Sequence, residues 1–286
     1  MKHLSTKKLF ILIFLFLTEG LIAQEPQPIK YTASNKGKFK VSWGGNRAVY
    51  SDSDITFKGN DYNFTLKEVK SHDKPKGWHI DYINPSRLTI PQTNYKIGYY
   101  VSDHYLVSVG VDHMKYIATQ NQFTTIRGDI DLPITQEGSQ FNGIYINAPI
   151  QLTEDFLKFE HTDGLNYIYS EIARSDDISS LFKINDTDVF QVNLIEGIGI
   201  GALLPKTNAT LLSKERHDEF NLAGYGVNLS ATLNLTFYKH FFIQGNLKGG
   251  YINMSTIRTT NDTADSASQS FFYLQRVVSF GGVFRL

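Results

Sequence analysis

Cysteine is absent from all 286 residues, which excludes disulfides and thiolate-ligated zinc. Neither sign of charge is in excess: 28 Lys and Arg face 28 Asp and Glu, so there is no basic footprint for nucleic acid. Beyond the N-terminus no segment approaches eighteen consecutive apolar residues, and this excludes a helical membrane span. Phosphate loops, dinucleotide fingerprints, EF-hand loops and a Gly-x-Ser-x-Gly elbow are missing. The histidines are scattered, and His72 and His79 with Asp73 and Asp81 fit no metal-ligand spacing, so neither metal nor cofactor is expected.

What is present is a two-residue rhythm. From Ala223 one phase reads Ala223, Tyr225, Val227, Leu229, Ala231, Leu233, Leu235 and Phe237. The other phase reads Gly224, Gly226, Asn228, Ser230, Thr232, Asn234 and Thr236. A helix repeats every 3.6 residues and cannot sort residues in this way. Soluble strands usually stop after about 5–6 residues. A longer strand, apolar on one face and polar on the other, suits a wall between lipid and a polar interior.

Residues 1–23 read as a signal peptide: Lys2, Lys7 and Lys8, then the apolar run Leu9 to Leu17, then a cleavage site near Ala23. Residues 24–36 carry two prolines and no period, and read as a loose periplasmic lead-in to a barrel domain over 37–286. Eight strands follow: Lys38 to Ser51, Leu88 to Val101, Tyr105 to Met114, Leu165 to Ser175, Val189 to Leu204, Asn221 to Phe237, Phe241 to Thr256 and Gln269 to Leu286. Connections one, three, five and seven are long and polar, whereas two and six are tight and four is moderate. This alternation fits long outer loops and short periplasmic turns. The fold class is therefore all-β, a closed antiparallel up-and-down transmembrane β-barrel. Ten strands result if the alternating pieces Ile55-Thr56-Phe57 and Tyr62 to Leu66 insert a hairpin.

Lipid tolerates no open sheet edge, so the last strand must pair with the first. Eight strands enclose a space that side chains fill. The interior set is Lys40, Asn46, Asn94, Lys96, Asp112, Asn228, Asn234, Asn246, Lys248 and Gln275. Two points stay open. Glu171 and Arg174 fall on opposite faces, and Glu196 falls in the lipid phase unless a bulge turns it.

Together these features resemble small outer-membrane β-barrel proteins of Gram-negative bacteria. The Ala23-Gln24 junction and the Asn/Tyr/Lys-rich composition look like the Bacteroidetes branch. There, Trp43-Gly44-Gly45-Asn46-Arg47-Ala48 and Val111-Asp112-His113-Met114-Lys115-Tyr116 look like segments of an uncharacterised barrel family. The resemblance implies a monomer in the outer membrane, assembled by the barrel-assembly machinery and surrounded by outer-membrane lipids and lipopolysaccharide. The terminal Leu286 departs from the usual terminal aromatic.

The cluster Asp112, His113, Lys115 and Tyr116 sits where the third strand leaves the membrane. Alternation points Asp112 inward and His113 and Lys115 outward at headgroup depth, with Tyr116 in an aromatic girdle. Three readings follow. The barrel is a structural or surface ligand-binding protein that contacts lipopolysaccharide; or it is a lipid-A acyl hydrolase with His113 as general base; or it is a narrow channel lined by Lys40, Lys96 and Lys248.

Overall fold

The computed structural model describes residues 30–77, 79–83, 91–215 and 219–286. The signal peptide, its cleavage site, the first half of the lead-in and Leu88 to Ile90 lie outside the described residues. In chain order the first strands are β1 (Phe39–Tyr50), β2 (Ser53–Lys58), β3 (Tyr62–Val69), β4 (Ser71–His72), β5 (Thr93–Tyr100) and β6 (Tyr105–Met114). Next come β7 (Ile117–Ala118), β8 (Phe123–Ile130), β9 (Gly143–Gln151), β10 (Leu157–Glu160), β11 (Leu165–Asp177) and β12 (Phe190–Pro205). The last are β13 (Asn208–Leu211), β14 (Lys214–Glu215), β15 (Gly224–Phe237), β16 (Phe241–Arg258) and β17 (Ser266–Phe284).

Eight of these close a ring in the order β1-β5-β6-β11-β12-β15-β16-β17, with β17 pairing back onto β1 from Phe39↔Phe284 to Tyr50↔Tyr273. All neighbours are antiparallel, and no backbone edge is left in the hydrocarbon region. A walk at right angles to the strands leaves Phe39 and passes Tyr99, Val107, Ile172, Ile198, Leu229, Gly249 and Leu274. It regains β1 at Val49, ten residues higher. With strands about 4.8 Å apart and a rise of about 3.3 Å per residue, that offset tilts the strands by about 40°. Each residue therefore climbs about 2.5 Å along the barrel axis.

The outward phase is apolar and bounded by aromatics. Near the short turns, ring contacts run Phe190–Phe237 (5.1 Å), Phe237–Phe241 (6.5 Å), Phe284–Phe39 (6.3 Å) and Phe39–Tyr99 (5.0 Å). At the other end Tyr251 meets Phe272 at 5.1 Å. Phe272 and Phe284 are twelve residues apart on β17, about 30 Å of height, which matches a bilayer core. The seam between β1 and β17 is closed by glycines. A Cβ on Gly281 would lie 1.9 Å from the Val41 carbonyl oxygen, and one on Gly44 would lie 2.2 Å from that of Val278.

The long connections do not behave as polar loops. The β2–β3 hairpin stays out of the ring, so the ten-strand alternative does not hold. Instead β2 pairs with the outer end of β17, β3 with β8 and β8 with β9, extending the wall beyond the membrane. A second sheet, β14-β13-β10-β7-β4, packs against this extension. Phe57 meets Phe159 at 5.7 Å, and Phe64 meets Phe156 at 5.8 Å. Segments 118–164 and 205–220, read from sequence as polar, thus bury Ile126, Ile130, Leu152, Phe156, Phe159 and Leu211 in one apolar core. That core continues into the outer barrel ends through Met114, Tyr167, Ile252 and Phe271.

The two open points resolve without a bulge. Register between β11 and β12 runs unbroken, Glu171 is buried inside, and Arg174 and Glu196 are exposed outward as direct cross-strand partners. Opposite charges face each other there, and Arg174 also binds Asp176 at 2.7 Å.

Candidate functional site

Inward side chains form several hydrogen-bonded polar clusters. Lys96 Nζ donates to Glu171 Oε1 (2.8 Å), and Ser230 and Asn228 donate to Glu171 Oε2 (3.1 and 3.4 Å). Lys248 donates to Asp112, whose other oxygen accepts from Asn94 at 2.6 Å. Asn46 then donates to Asn94 (2.7 Å), while Asn234 donates to Gln244 (3.1 Å) and Gln244 to Ser279 (3.1 Å). Lys40 lies over the Phe242 ring at 4.5 Å. Of the ten interior candidates, Lys40, Asn46, Asn94, Asp112, Asn228, Asn234, Asn246, Lys248 and Gln275 are buried, and Lys96 is half-buried. Sequence reasoning missed Glu171 as the second interior carboxylate, because a single strand has no internal signal for which phase faces in.

Among the described residues, small cavities lie beside Lys40 and Lys96 and beside Asp112 and Lys248, each about 20 Å³, and beside Lys40, Asn193 and Asn234, about 10 Å³. Each is room for about a single water. Above them the apolar outer core stops the mouth. At the inner end, the segment before β1 lies across the opening. Asp188 accepts from the Thr32 backbone N–H (3.0 Å), the Thr32 hydroxyl (2.8 Å) and the Tyr31 N–H (3.2 Å). Burial pushes the Asp188 carboxyl up, but the Thr32 and Tyr31 bonds outweigh it and hold the pKa down at about 2. Asp103 fastens the next stretch through Ser34, Asn35 and Lys36. Nothing in the residue pattern of the lead-in announces these two clamps.

The four clustered candidates do not converge. Asp112 belongs to the interior network. His113 keeps its outward phase but is only 4% exposed, with Nδ1 2.7 Å from Asn166 Oδ1, an amide that cannot act as a nucleophile. Lys115 is partly buried, and its carbonyl accepts from the Tyr50 hydroxyl. Tyr116 is fully buried in the outer core rather than in a girdle, and accepts from Gln269 at 2.6 Å. Alternation predicts phase correctly up to Met114, but it says nothing about what covers a strand end.

The head that stands above the membrane has a distinctive rim. Residues 119–157 carry Asp129, Asp131, Glu137, Glu154 and Asp155, all exposed, against Arg127 alone. Phe123, Ile134, Ile144 and Ile146 are exposed among them. The terminal strand β9 is interrupted by Asn147 (φ 54°) and Pro149, features that blunt a free edge against aggregation.

No protein-family model matches the sequence. No curated protein matches it either. Among solved structures, the chain is similar to the outer membrane protein OprG of Pseudomonas aeruginosa at 8% identity and a TM-score of 0.38, over 88% of this chain and 98% of that one. The N-terminal β-barrel domain of P. aeruginosa OprF gives 8% identity and 0.30, over 87% and 98%. The attachment invasion locus protein Ail of Yersinia pestis gives 10% identity and 0.27, over 87% and 99%.

Proposed function

We propose that the protein is an outer-membrane surface protein whose barrel is a sealed anchor and whose outer head binds a basic, partly apolar partner. The observation that carries this reading is the head itself. The long connections bury a continuous aromatic core, so they are a built platform rather than slack loops. Five exposed carboxylates and four exposed apolar side chains on its rim are complementary to a cationic amphipathic peptide or protein surface. A channel would need an axial path, and the cavities inside hold one water each. A hydrolase using His113 would need that ring open to substrate, and it is covered.

The test uses the mature chain in lipid nanodiscs with a fluorescent peptide of alternating Lys and Leu. Saturable binding is expected at low salt, and its loss in 0.5 M NaCl is expected from screening. The triple substitution D129N/D131N/E137Q should weaken it about tenfold, since three exposed ion pairs contribute about 0.5 kcal/mol each. All three side chains are exposed, so folding is unaffected. Equal affinity for an Asp/Leu peptide, or no change in the triple variant, would overturn the reading.

A further inference from the structure

The barrel holds more inward ammoniums than carboxylates to match them. Among the described residues, Lys38, Lys40, Lys96 and Lys248 point inward, whereas the carboxylates buried within the membrane-spanning wall are Asp112 and Glu171. Lys248 takes Asp112, and Lys96 takes Glu171, whose second oxygen accepts from Ser230 and Asn228. Lys38 and Lys40 are left over. A buried cation without a counter-charge is costly, so the inner end of the barrel has a charge to satisfy.

The two lysines stand two residues apart in one phase, 1% and 8% exposed. Lys38 donates to the Tyr31 carbonyl (3.0 Å) and to Asn35 Oδ1 (3.1 Å), both neutral oxygens. Lys40 makes no hydrogen bond among the described residues, and its ammonium lies 4.5 Å from the centre of the Phe242 ring. The carboxylates nearest the mouth are engaged elsewhere: Asp188 by Tyr31, Thr32 and Lys239, and Asp103 by Ser34, Asn35 and Lys36. Arg285 adds a further cation nearby, bonded to oxygens of Ser34 and Lys36.

Lys38 and Lys40 line one cavity of about 10 Å³, and no carboxylate lines it. Lys239 also reaches it but is already paired with Asp188 at 3.3 Å. The other polar walls are amides and hydroxyls. Asn193 donates one amide hydrogen to Asn234 Oδ1 (3.4 Å), and its second N–H has no acceptor among the described residues. Two buried ammoniums and an amide therefore share a space without formal negative charge, which favours an anionic occupant. The volume selects the kind of anion. About one water fits, so phosphate, sulfate and carboxylates are excluded, and a single halide ion is nearest in size. The lysine tips stand on flexible stems and can close around it.

We propose that Lys38 and Lys40 form a binding site for one monatomic anion, chloride, at the inner mouth of the barrel beneath the lead-in segment. Because Lys38 also holds Tyr31 and Asn35, the bound ion ties the lead-in to the wall. The site is independent of the head and its partner. The test takes the mature chain in detergent micelles at pH 6 and constant ionic strength, exchanging sodium gluconate, whose anion is too large for the cavity, for sodium chloride. In wild type the folding equilibrium constant from urea unfolding should rise about elevenfold once chloride reaches about ten times its dissociation constant. K40M keeps most of the side-chain volume and should abolish the response, with gel mobility of the unheated protein confirming the barrel. Crystals of wild type grown in sodium bromide should show an anomalous peak between the two Nζ atoms, a readout that needs no variant. A wild-type equilibrium unchanged by chloride would overturn the site, and so would an equal response in K40M, the mark of a general salt effect. Absence of bromide from that position would overturn it as well: the two lysines would then be served by water or have shed a proton.

Discussion

Lys248→Met probes the charge pair at the centre of the barrel. Lys248 and Asp112 are both essentially inaccessible, and the ammonium also lies 4.0 Å above the Tyr169 ring. Methionine keeps most of the volume and its contact with the ring. It leaves the Asp112 carboxylate with neutral donors such as the Asn94 amide. Stranding one member of a buried pair costs about 3–5 kcal/mol, mainly the desolvation of the remaining charge. With a urea dependence of about 2–3 kcal/mol per molar, the unfolding midpoint should fall by about 1–2.5 M. The double variant D112N/K248M removes both charges and should recover to within about 1–2 kcal/mol of wild type. The assay is urea unfolding in lipid vesicles, followed by emission of the two tryptophans, Trp43 and Trp78, and by mobility of the unheated protein. A K248M midpoint within about 0.3 M of wild type, or a double variant as unstable as the two singles summed, would refute a tightly coupled interior pair.

Two further perturbations address the seam and the inner end. Gly281→Ala places a methyl against the Val41 carbonyl and should sharply reduce the folded fraction on electrophoresis. Gly282→Ala, whose nearest neighbour would be 3.6 Å away, should assemble normally, and equal yields would contradict the seam argument. Asp188 has a folded pKa of about 2 against an ordinary 3.8, so its hold on Tyr31 and Thr32 is present above about pH 4 and is lost as pH falls through 2. Amide exchange of residues 31–36, corrected for intrinsic rates, should accelerate across that window in wild type. Asp188→Asn should show no such step, and a step that persisted in it would assign the transition to another group.

Much of the architecture was already legible in the residue order. A period of two cannot be mistaken for 3.6 when it persists from Ala223 to Phe237, and the alternation of long and short connections sets strand direction. The inward phase followed wherever one face was clearly polar, as for Asn228, Asn234 and Lys248. It stayed open on β11, where Glu171 and Arg174 put charge in both phases and only neighbouring strands distinguish them, whereas Glu196 kept the outward phase that alternation assigned it. The outer head was missed for a related reason. Strands such as β8 and β10 are short and bury one face among polar residues, so they look like loops until a facing sheet is supplied.

What the sequence determined by itself is therefore local and periodic: strands, their order, their polar and apolar faces, and the need for closure that lipid imposes. What only the tertiary structure decided depends on residues distant in the chain. The ten-residue offset of the ring sets the height of every side chain. The packing of the described parts of 51–92, 115–164 and 206–223 turns loops into a lid. Arg47 and Arg276, 229 positions apart, become neighbours only when the last strand closes on the first. Backbone periodicity encodes which way a side chain points; only closure encodes what it points at.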